Sequence, residues 1–366
     1  MGDLFRCFAR RCALRPRSRH GIDAIGRTES VMTRPRAGSR RTARSGSRSA
    51  VGLYALAATA TGGALACETE INGMLGTQSD PLDAAVASNV VSLIIVVVAI
   101  PFVPGLERAA RDLLTMLRAG SVHPAWLFGG IAGGFMVLTQ AITTGHLGVA
   151  VFTLAAVSGQ TLGGVVFDCI GLGPGPRRAV DRRRVLGLLM AVSATIVPAA
   201  ADIGSATTLI LLPFVAGMGA ALQLALNGRV DEAISHPSPS AMLSFLVGAG
   251  MLGSIALLRL TVSDFSHSWP ADPLLYTGGV FGVVFVLSSI LVVRRLGVFV
   301  AVMCIVTGQV ATSIAISTVR FGPSTALVGH CVGAVLLIGG VVIVSSRKGS
   351  SADRTSSSAI PSGSHR

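Results

Sequence analysis

The stretch from residue 129 to residue 160 decides the fold, because the chain repeats it 149 residues later. Residues 129–160 read "GGIAGGFMVLTQAITTGHLGVAVFTLAAVSGQ", and residues 278–309 read "GGVFGVVFVLSSILVVRRLGVFVAVMCIVTGQ". They align without a gap, and twelve of the 32 positions are identical. An earlier match, at a shift of 155, sets Glu68-x-x-x-Asn72-Gly73 against Gln223-x-x-x-Asn227-Gly228. These matches predict two halves of common design.

The composition predicts a polytopic membrane protein. Of 366 residues, 51% are hydrophobic and only 13% are charged, with a mean hydropathy of +0.68. Soluble domains carry about 25% charged residues, so this chain has too few for a water-facing surface. Its apolar stretches of about 20 residues match the length of a helix that crosses a bilayer. Low aromatic content disfavours a membrane barrel.

The predicted fold is all-α, with ten transmembrane helices in two five-helix repeats. Since five is odd, the second repeat enters the membrane inverted, a construction typical of secondary transporters. We predict a first repeat over 49–203 and a second over 204–345. The ten predicted spans are 50–71, 85–103, 124–144, 147–168, 183–201, 206–227, 239–260, 273–293, 296–317 and 325–345.

The arginines and the single lysine predict that both termini are cytoplasmic. With ten spans and the termini inside, 28 of the 30 basic residues fall on the inner side, as the positive-inside rule requires. Only Arg259 and Arg320 fall outside. Thirteen arginines lie in the first 48 residues, which we predict to be a disordered leader, with residues 346–366 a disordered tail. The net charge of +13 therefore does not indicate nucleic-acid binding.

Several short motifs resemble the YdcZ-like, EamA-like subgroup of the drug/metabolite transporter superfamily. They are "ING-LG" from Ile71, "PL-AA" from Pro81, "GQ" in the fourth and ninth spans, "LNG" in the sixth span and "SFLVG" from Ser244. The resemblance covers about residues 50–345. It implies a ten-helix bacterial inner-membrane transporter that exports small molecules, without indicating the substrate. The first-span position usually held by glutamine is Glu68 here, and the repeat counterpart of Asp168 is Ser317.

Two glutamines recur at one position of the long repeat. Gln160 and Gln309 each lie about 13 residues into a span, roughly 20 Å from opposite membrane faces and therefore near mid-membrane. Their amides could line a central substrate cavity, or they could hold neighbouring helices together. Gln140 faces Ser289 in the repeat, which makes it a weaker candidate of the same kind.

The shorter repeat places a polar pair near each mouth of the bundle. Glu68 and Asn72 are four residues apart and share a helix face near the outer boundary, and Gln223 and Asn227 do so near the inner one. Unlike glutamine, Glu68 can bind and release a proton, so we hypothesise that it couples proton entry to export. The alternative is that Glu68 and Glu70 are solvated charges at the outer interface. Asn72-Gly73 and Asn227-Gly228 also resemble helix ends.

The leading prediction is a secondary transporter of a small solute, with proton coupling as the open question. The alternatives are a non-transporting membrane scaffold or partner subunit, and a flippase for a lipid-linked substrate. No Walker A sequence is present, and no nucleophile–base, HExxH or paired-carboxylate pattern indicates an enzyme. The six cysteines lack metal-ligand spacing, so neither a metal nor a cofactor is predicted. The oligomeric state stays open, a homodimer included, as does a start at Met32.

Overall fold

In the described part of the chain, a computed structural model contains helices and no strand. It describes residues 42–99, 102, 106–173, 181–201, 208–234, 238–260, 269–296, 298–322 and 326–345; the predicted tail and most of the predicted leader lie outside them. The α-helices are α1 (Thr42–Gln78), α2 (Pro81–Ala99), α3 (Leu106–Arg118), α4 (Gly129–Ile170), α5 (Arg182–Ala201), α6 (Leu211–Ile234), α7 (Ser238–Leu260), α8 (Gly278–Leu296), α9 (Val298–Phe321) and α10 (Ala326–Ser345).

Helix α4 consists of two arms that meet at Gly148. This glycine has φ 75° and ψ 153°, a backbone conformation that side chains other than hydrogen disfavour. Going along the first arm, Gly129 packs beside Asn227 of α6 and Gly133 beside Gln223. Along the second arm, Gly159 packs beside Phe214 and Gly163 beside Met218. The two arms therefore run in opposite directions along α6, where the sequence predicts separate spans.

A short 3-10 turn precedes the first α4 arm, and an equivalent turn precedes α8. They are Pro124–Phe128 and Pro273–Tyr276, separated by the 149-residue shift of the long repeat. The residue before each proline caps its turn. Nδ1 of His123 accepts from the amide of Ala125 at 3.2 Å, and Oδ1 of Asp272 accepts from the amide of Leu274 at 2.9 Å. The sequence match thus extends upstream of residue 129 as a structural match.

Glycines bring the helix backbones into direct contact at four equivalent points. A Cβ atom on Gly62 of α1 would strike the carbonyl oxygen of Ile305 on α9, and one on Gly308 would strike that of Thr59. Shifted by 155 and 149 residues, the same contacts join α6 to the second arm of α4. There Gly217 meets the carbonyl of Ala156, and Gly159 meets that of Phe214. Small residues allow helices to pack this closely in lipid, where no hydrophobic force drives them together.

The bundle exposes many large apolar side chains and buries polar side chains together with an apolar core. Leu189, Leu257 and Val335 are all more than half exposed. Thr153, Ser158 and Gln140 are completely or almost completely buried. Among the described residues, five helical stretches are long and apolar enough to cross a membrane, namely Pro81–Ala99, Pro124–Ile170, Leu211–Ile234, Ser240–Arg259 and Ala301–Arg320. The polytopic all-helical class is consistent with this arrangement, and the count of ten spans stays a prediction.

The largest departures from the predicted boundaries are in α1, α3 and α6. The predicted inner loop at 104–123 contains the amphipathic helix α3, whose Leu113 packs with Val122 and Val230 of α6. Helix α1 begins inside the predicted leader and continues to Gln78 rather than ending at residue 71. Helix α6 continues to Ile234 rather than ending at residue 227. The prediction that Asn72-Gly73 and Asn227-Gly228 end their helices was therefore wrong.

The glycine contacts can be tested on one helix with a matched pair of substitutions. We expect Gly159→Ala to destabilise the protein by about 1–3 kcal/mol, because the new methyl group meets the backbone of α6. Gly164→Ala on the same arm has open space around its Cβ and should be neutral or stabilising by up to ~1 kcal/mol. Thermal unfolding in detergent measures both. Equal melting temperatures for the two variants would contradict the packing described here.

Candidate functional site

The Glu68 carboxyl group is buried inside the bundle and has no polar partner among the described residues. Only 7% of Glu68 is exposed, and its carboxyl group lies against Gly282 of α8. A Cβ atom on Gly282 would lie 3.0 Å from one carboxyl oxygen, so the glycine makes room for the acid. Within the described ranges, Glu68 forms neither a hydrogen bond nor an ion pair. The alternative that Glu68 is a solvated interface charge was therefore wrong.

One helical turn further on, Asn72 belongs to a buried hydrogen-bond network between α1 and α4. Its Nδ2 donates to Oε1 of Gln140 at 2.8 Å, and Nε2 of Gln140 donates to Oγ1 of Thr69 at 3.1 Å. All three side chains are at most 1% exposed. Oδ1 of Asn72 is buried without a hydrogen bond and lies against Gly278. This tertiary contact explains why α1 continues through Asn72.

The inner pair occupies the equivalent place in the other half of the bundle. Gln223 lies against Gly133 and Asn227 against Gly129, just as Glu68 lies against Gly282 and Asn72 against Gly278. The shifts of 155 and 149 residues relate all four contacts. Oδ1 of Asn227 accepts from the hydroxyl of Ser244 at 3.0 Å. Gln223 and Asn227 are half-buried, whereas Glu68 and Asn72 are buried.

The two glutamines predicted to lie near mid-membrane, Gln160 and Gln309, are not paired with each other among the described residues. Gln309 of α9 is 3% exposed, and its backbone amide borders the close contact at Gly62. Gln160 of α4 is half-buried and follows Gly159, the equivalent contact in the other half. In the ranges covered by the structure, no hydrogen bond links the two amides. Their role in a shared cavity stays a prediction.

Sequence reasoning missed two ion pairs at the end of the bundle predicted to face outward, here called the outer end. Arg320 at the end of α9 donates to the Glu70 carboxylate, and Arg259 at the end of α7 lies 2.5 Å from Oδ1 of Asp80. The count of basic residues on each side of the membrane could have indicated these ion pairs, since Arg259 and Arg320 are the only two arginines predicted on the outer side. Glu70 is thus a paired acid, and its interpretation as a solvated charge was wrong.

At the opposite, inner end, the polar contacts use different partners. Asp168 pairs with Arg184 at 3.3 Å; Arg177 and Arg178, the partners expected from the sequence, lie outside the described residues. Arg229 of α6 donates to the carbonyl oxygens of Gly171 at 2.8 Å and Leu172 at 3.1 Å, at the end of α4. Among the described residues, no group of three or more His, Cys, Asp or Glu side chains could hold a metal ion.

A family model matches the chain in two segments, residues 53–197 and 208–343, and its description is "Putative inner membrane exporter, YdcZ". The chain belongs to the YdcZ family of the drug/metabolite transporter superfamily. This confirms the resemblance and the assignment to the inner membrane as a multi-pass protein. The two matched segments correspond approximately to the two predicted repeats.

The other comparisons add no argument about function. A search of curated proteins returned no match. One solved structure, described as "Crystal structure of protein", aligns over 81% of this chain and 97% of its own, with 19% sequence identity and a TM-score of 0.48. At that similarity, we draw no inference from it.

The buried network can be tested against its counterpart in the other half. We expect Asn72→Ala to destabilise the protein by about 1–3 kcal/mol, because it leaves the buried Gln140 amide without its partner. Asn227→Ala should cost less, since the half-buried Asn227 gives up less buried contact than the fully buried Asn72. Thermal unfolding of both variants in one detergent gives the comparison. A larger loss for Asn227→Ala would contradict the assigned network.

Proposed function

We propose that this YdcZ-family protein is a secondary transporter that exports a small solute and couples that movement to protons through Glu68. The family description supports a membrane exporter in general, and the coupling is our proposal. The observation that carries it is the buried Glu68 carboxyl group, which has no partner in the described part of the chain and whose repeat counterpart is Gln223. Acids inside a membrane bundle are costly and therefore indicate a functional role such as proton transfer.

The arrangement of the halves supports alternating access. Equivalent polar pairs lie against equivalent glycines. The pair on α1 lies against glycines of α8, and the pair on α6 lies against glycines of the first α4 arm. If the halves are inverted, as the charge distribution predicts, the pairs face opposite mouths. A solute and a proton could then reach the bundle interior from either side in turn. Glu68 supplies one titratable group on this path, and its counterpart Gln223 supplies none.

The neighbours of Glu68 leave its charge uncompensated. Glu70, the nearest acid on the same helix, lies on another face and pairs with Arg320. Glycines occupy the facing positions on α8. A carboxylate at such a place requires a proton or a cationic group to enter with it, because an isolated charge in an apolar interior is unfavourable. This requirement is the physical basis for coupling.

The proposal predicts loss of proton movement when the carboxyl group is removed. We would reconstitute the protein in sealed vesicles with an internal pH reporter and present a panel of small metabolites and lipophilic cations. Wild type should show solute-dependent proton movement, and Glu68→Gln should abolish it while leaving the protein folded. Glu232→Gln, which removes an exposed acid of α6, is the matched control and should behave as wild type.

The outcomes separate the alternatives. Proton movement that survives Glu68→Gln with an unchanged pH profile contradicts coupling at this residue and leaves the transporter assignment standing. Solute flux without proton movement indicates an uncoupled carrier. A cargo that moves only with its lipid tail attached favours a flippase, and an absence of flux for every cargo favours a scaffold. Each result is read in vesicles that contain equal amounts of folded protein.

A further inference from the structure

The two exceptional arginines connect the first half of the chain to the second half. Arg320 of α9 reaches Glu70 of α1, 250 residues earlier. Arg259 of α7 reaches Asp80, which precedes α2. In both pairs the carboxylate belongs to residues 49–203 and the arginine to residues 204–345. Both therefore hold the halves together at the outer end.

These ion pairs are partly shielded from water. The Glu70 side chain is only 10% exposed and that of Asp80 18%, whereas the arginines are more exposed. Shielding of this kind makes an ion pair stronger than the same pair in open solvent. Each arginine also lies in the last turn of its helix, where the helix dipole favours a positive charge.

The pair at Asp80 stays charged in mildly acidic conditions. Partial burial alone would raise the pKa of Asp80. Hydrogen bonds from Arg259 and from the amides of Leu82 and Asp83, together with the arginine charge, outweigh burial and hold that pKa below its usual value. The stabilising effect is therefore present at neutral pH and is lost only as the pH falls through this lowered pKa.

The inner end lacks the equivalent ion pair. At the repeat shifts of 155 and 149 residues, Glu70 corresponds to Ala225 and Arg320 to Gly171. The halves are instead connected there by Arg229, whose acceptors are the neutral carbonyl groups of Gly171 and Leu172. Among the described residues, the carboxylate–arginine pairs that link the two halves therefore lie at the outer end, because Asp168 and Arg184 at the inner end both belong to the first half.

The two ends also differ in how deeply their polar pairs are buried, and the outer pair is again the more protected one. Glu68 is 7% exposed and Asn72 is 0% exposed, whereas their counterparts Gln223 and Asn227 are half-buried. Since the four side chains occupy equivalent places, the difference shows that the outer pair is shielded from water more completely than the inner pair.

We propose that the Glu70–Arg320 and Asp80–Arg259 ion pairs form an outer clasp that holds the outer end closed and makes the inward-open arrangement the resting state. The two glutamates of "CETEING" then have different roles. Glu68 faces α8 in the candidate site, while Glu70 closes the bundle from another face of α1. The inference rests on the alternating access proposed above. The test of the clasp needs no substrate. The clasp can therefore be refuted while the transport function holds, and the transport function can be refuted while the clasp holds.

The test measures water access to two equivalent reporters. In a background with all six native cysteines replaced by serine, Ser88→Cys reports on the outer end and Ser244→Cys on the inner end. The carbonyl oxygen of Ser88 lies against Gly279 and that of Ser244 against Gly130, so the two reporters occupy equivalent backbone positions in the two halves. A membrane-impermeant maleimide, applied from each side of sealed vesicles, labels each reporter at a measurable rate.

Release of the clasp should shift the labelling rates in opposite directions. In Glu70→Gln and in Arg320→Gln, we expect outer labelling to rise at least about fivefold and inner labelling to fall, because one equilibrium governs both ends. Exchanging the charges, Glu70→Arg with Arg320→Glu, should restore the original rates. Arg295→Gln is the matched control, since it removes an arginine that packs on Tyr54 away from the clasp.

Three results would overturn the proposal. They are unchanged rates at both reporters, increased rates at both, and failure of the charge exchange to restore labelling. The first shows that the pairs do not hold the outer end, and the second shows general loosening of the bundle. If the Glu70 and Arg320 variants do not fold, Asp80→Asn and Arg259→Gln test the second pair by the same reciprocal shift.

Discussion

The architecture is organised around the close approach of glycines to backbone carbonyl groups of facing helices. Gly62 and Gly308 bring α1 onto α9, and Gly217 and Gly159 bring α6 onto the second arm of α4. In each contact, even a methyl group would strike the backbone of the facing helix. Van der Waals contact and small residues must supply helix association in lipid, because burying apolar surface gains little there. These contacts set the positions of α1 and α6, which carry the candidate site.

The polar residues use this framework in two different ways. Asn72, Gln140 and Thr69 satisfy one another and hold α1 to α4, so their burial is explained by hydrogen bonding. Glu68 has no such partner within the described ranges, which separates it from the structural polar groups around it. The neighbouring Glu70 has an arginine partner from the other half of the chain. One short segment thus contains a structural network, an unpaired acid and a closing contact.

Much of this architecture could be predicted from the sequence because the residues that repeat are also the residues that form contacts between helices. The shifts of 149 and 155 residues, found by aligning letters, relate the glycine contacts in space and the two capped 3-10 turns. The shared face of Glu68 and Asn72 also followed from helical spacing. The family assignment, made from a handful of motifs, was confirmed by the family model.

The remaining features depend on partners far apart in the chain, which local patterns do not reveal. The Asn-Gly pairs were interpreted as helix ends, yet α1 continues because Asn72 finds Gln140, 68 residues away. The ion pairs of Glu70 and Asp80 could not be predicted from local sequence patterns. The one indication was that Arg259 and Arg320 are exceptions to the positive-inside rule. Helix α3 was counted as a loop because its charges supported the topology, although its leucines follow helical spacing.

The opposite membrane orientation of the two halves can be tested by labelling one equivalent position in each half. Ala125 and Leu274 are exposed and occupy the same position of the two 3-10 turns. Each would be replaced by cysteine in a background without other cysteines and labelled with an impermeant maleimide in intact cells. The account predicts that Leu274→Cys reacts from outside and that Ala125→Cys reacts only after the cells are opened. Labelling of both positions from the same side would contradict the inverted arrangement.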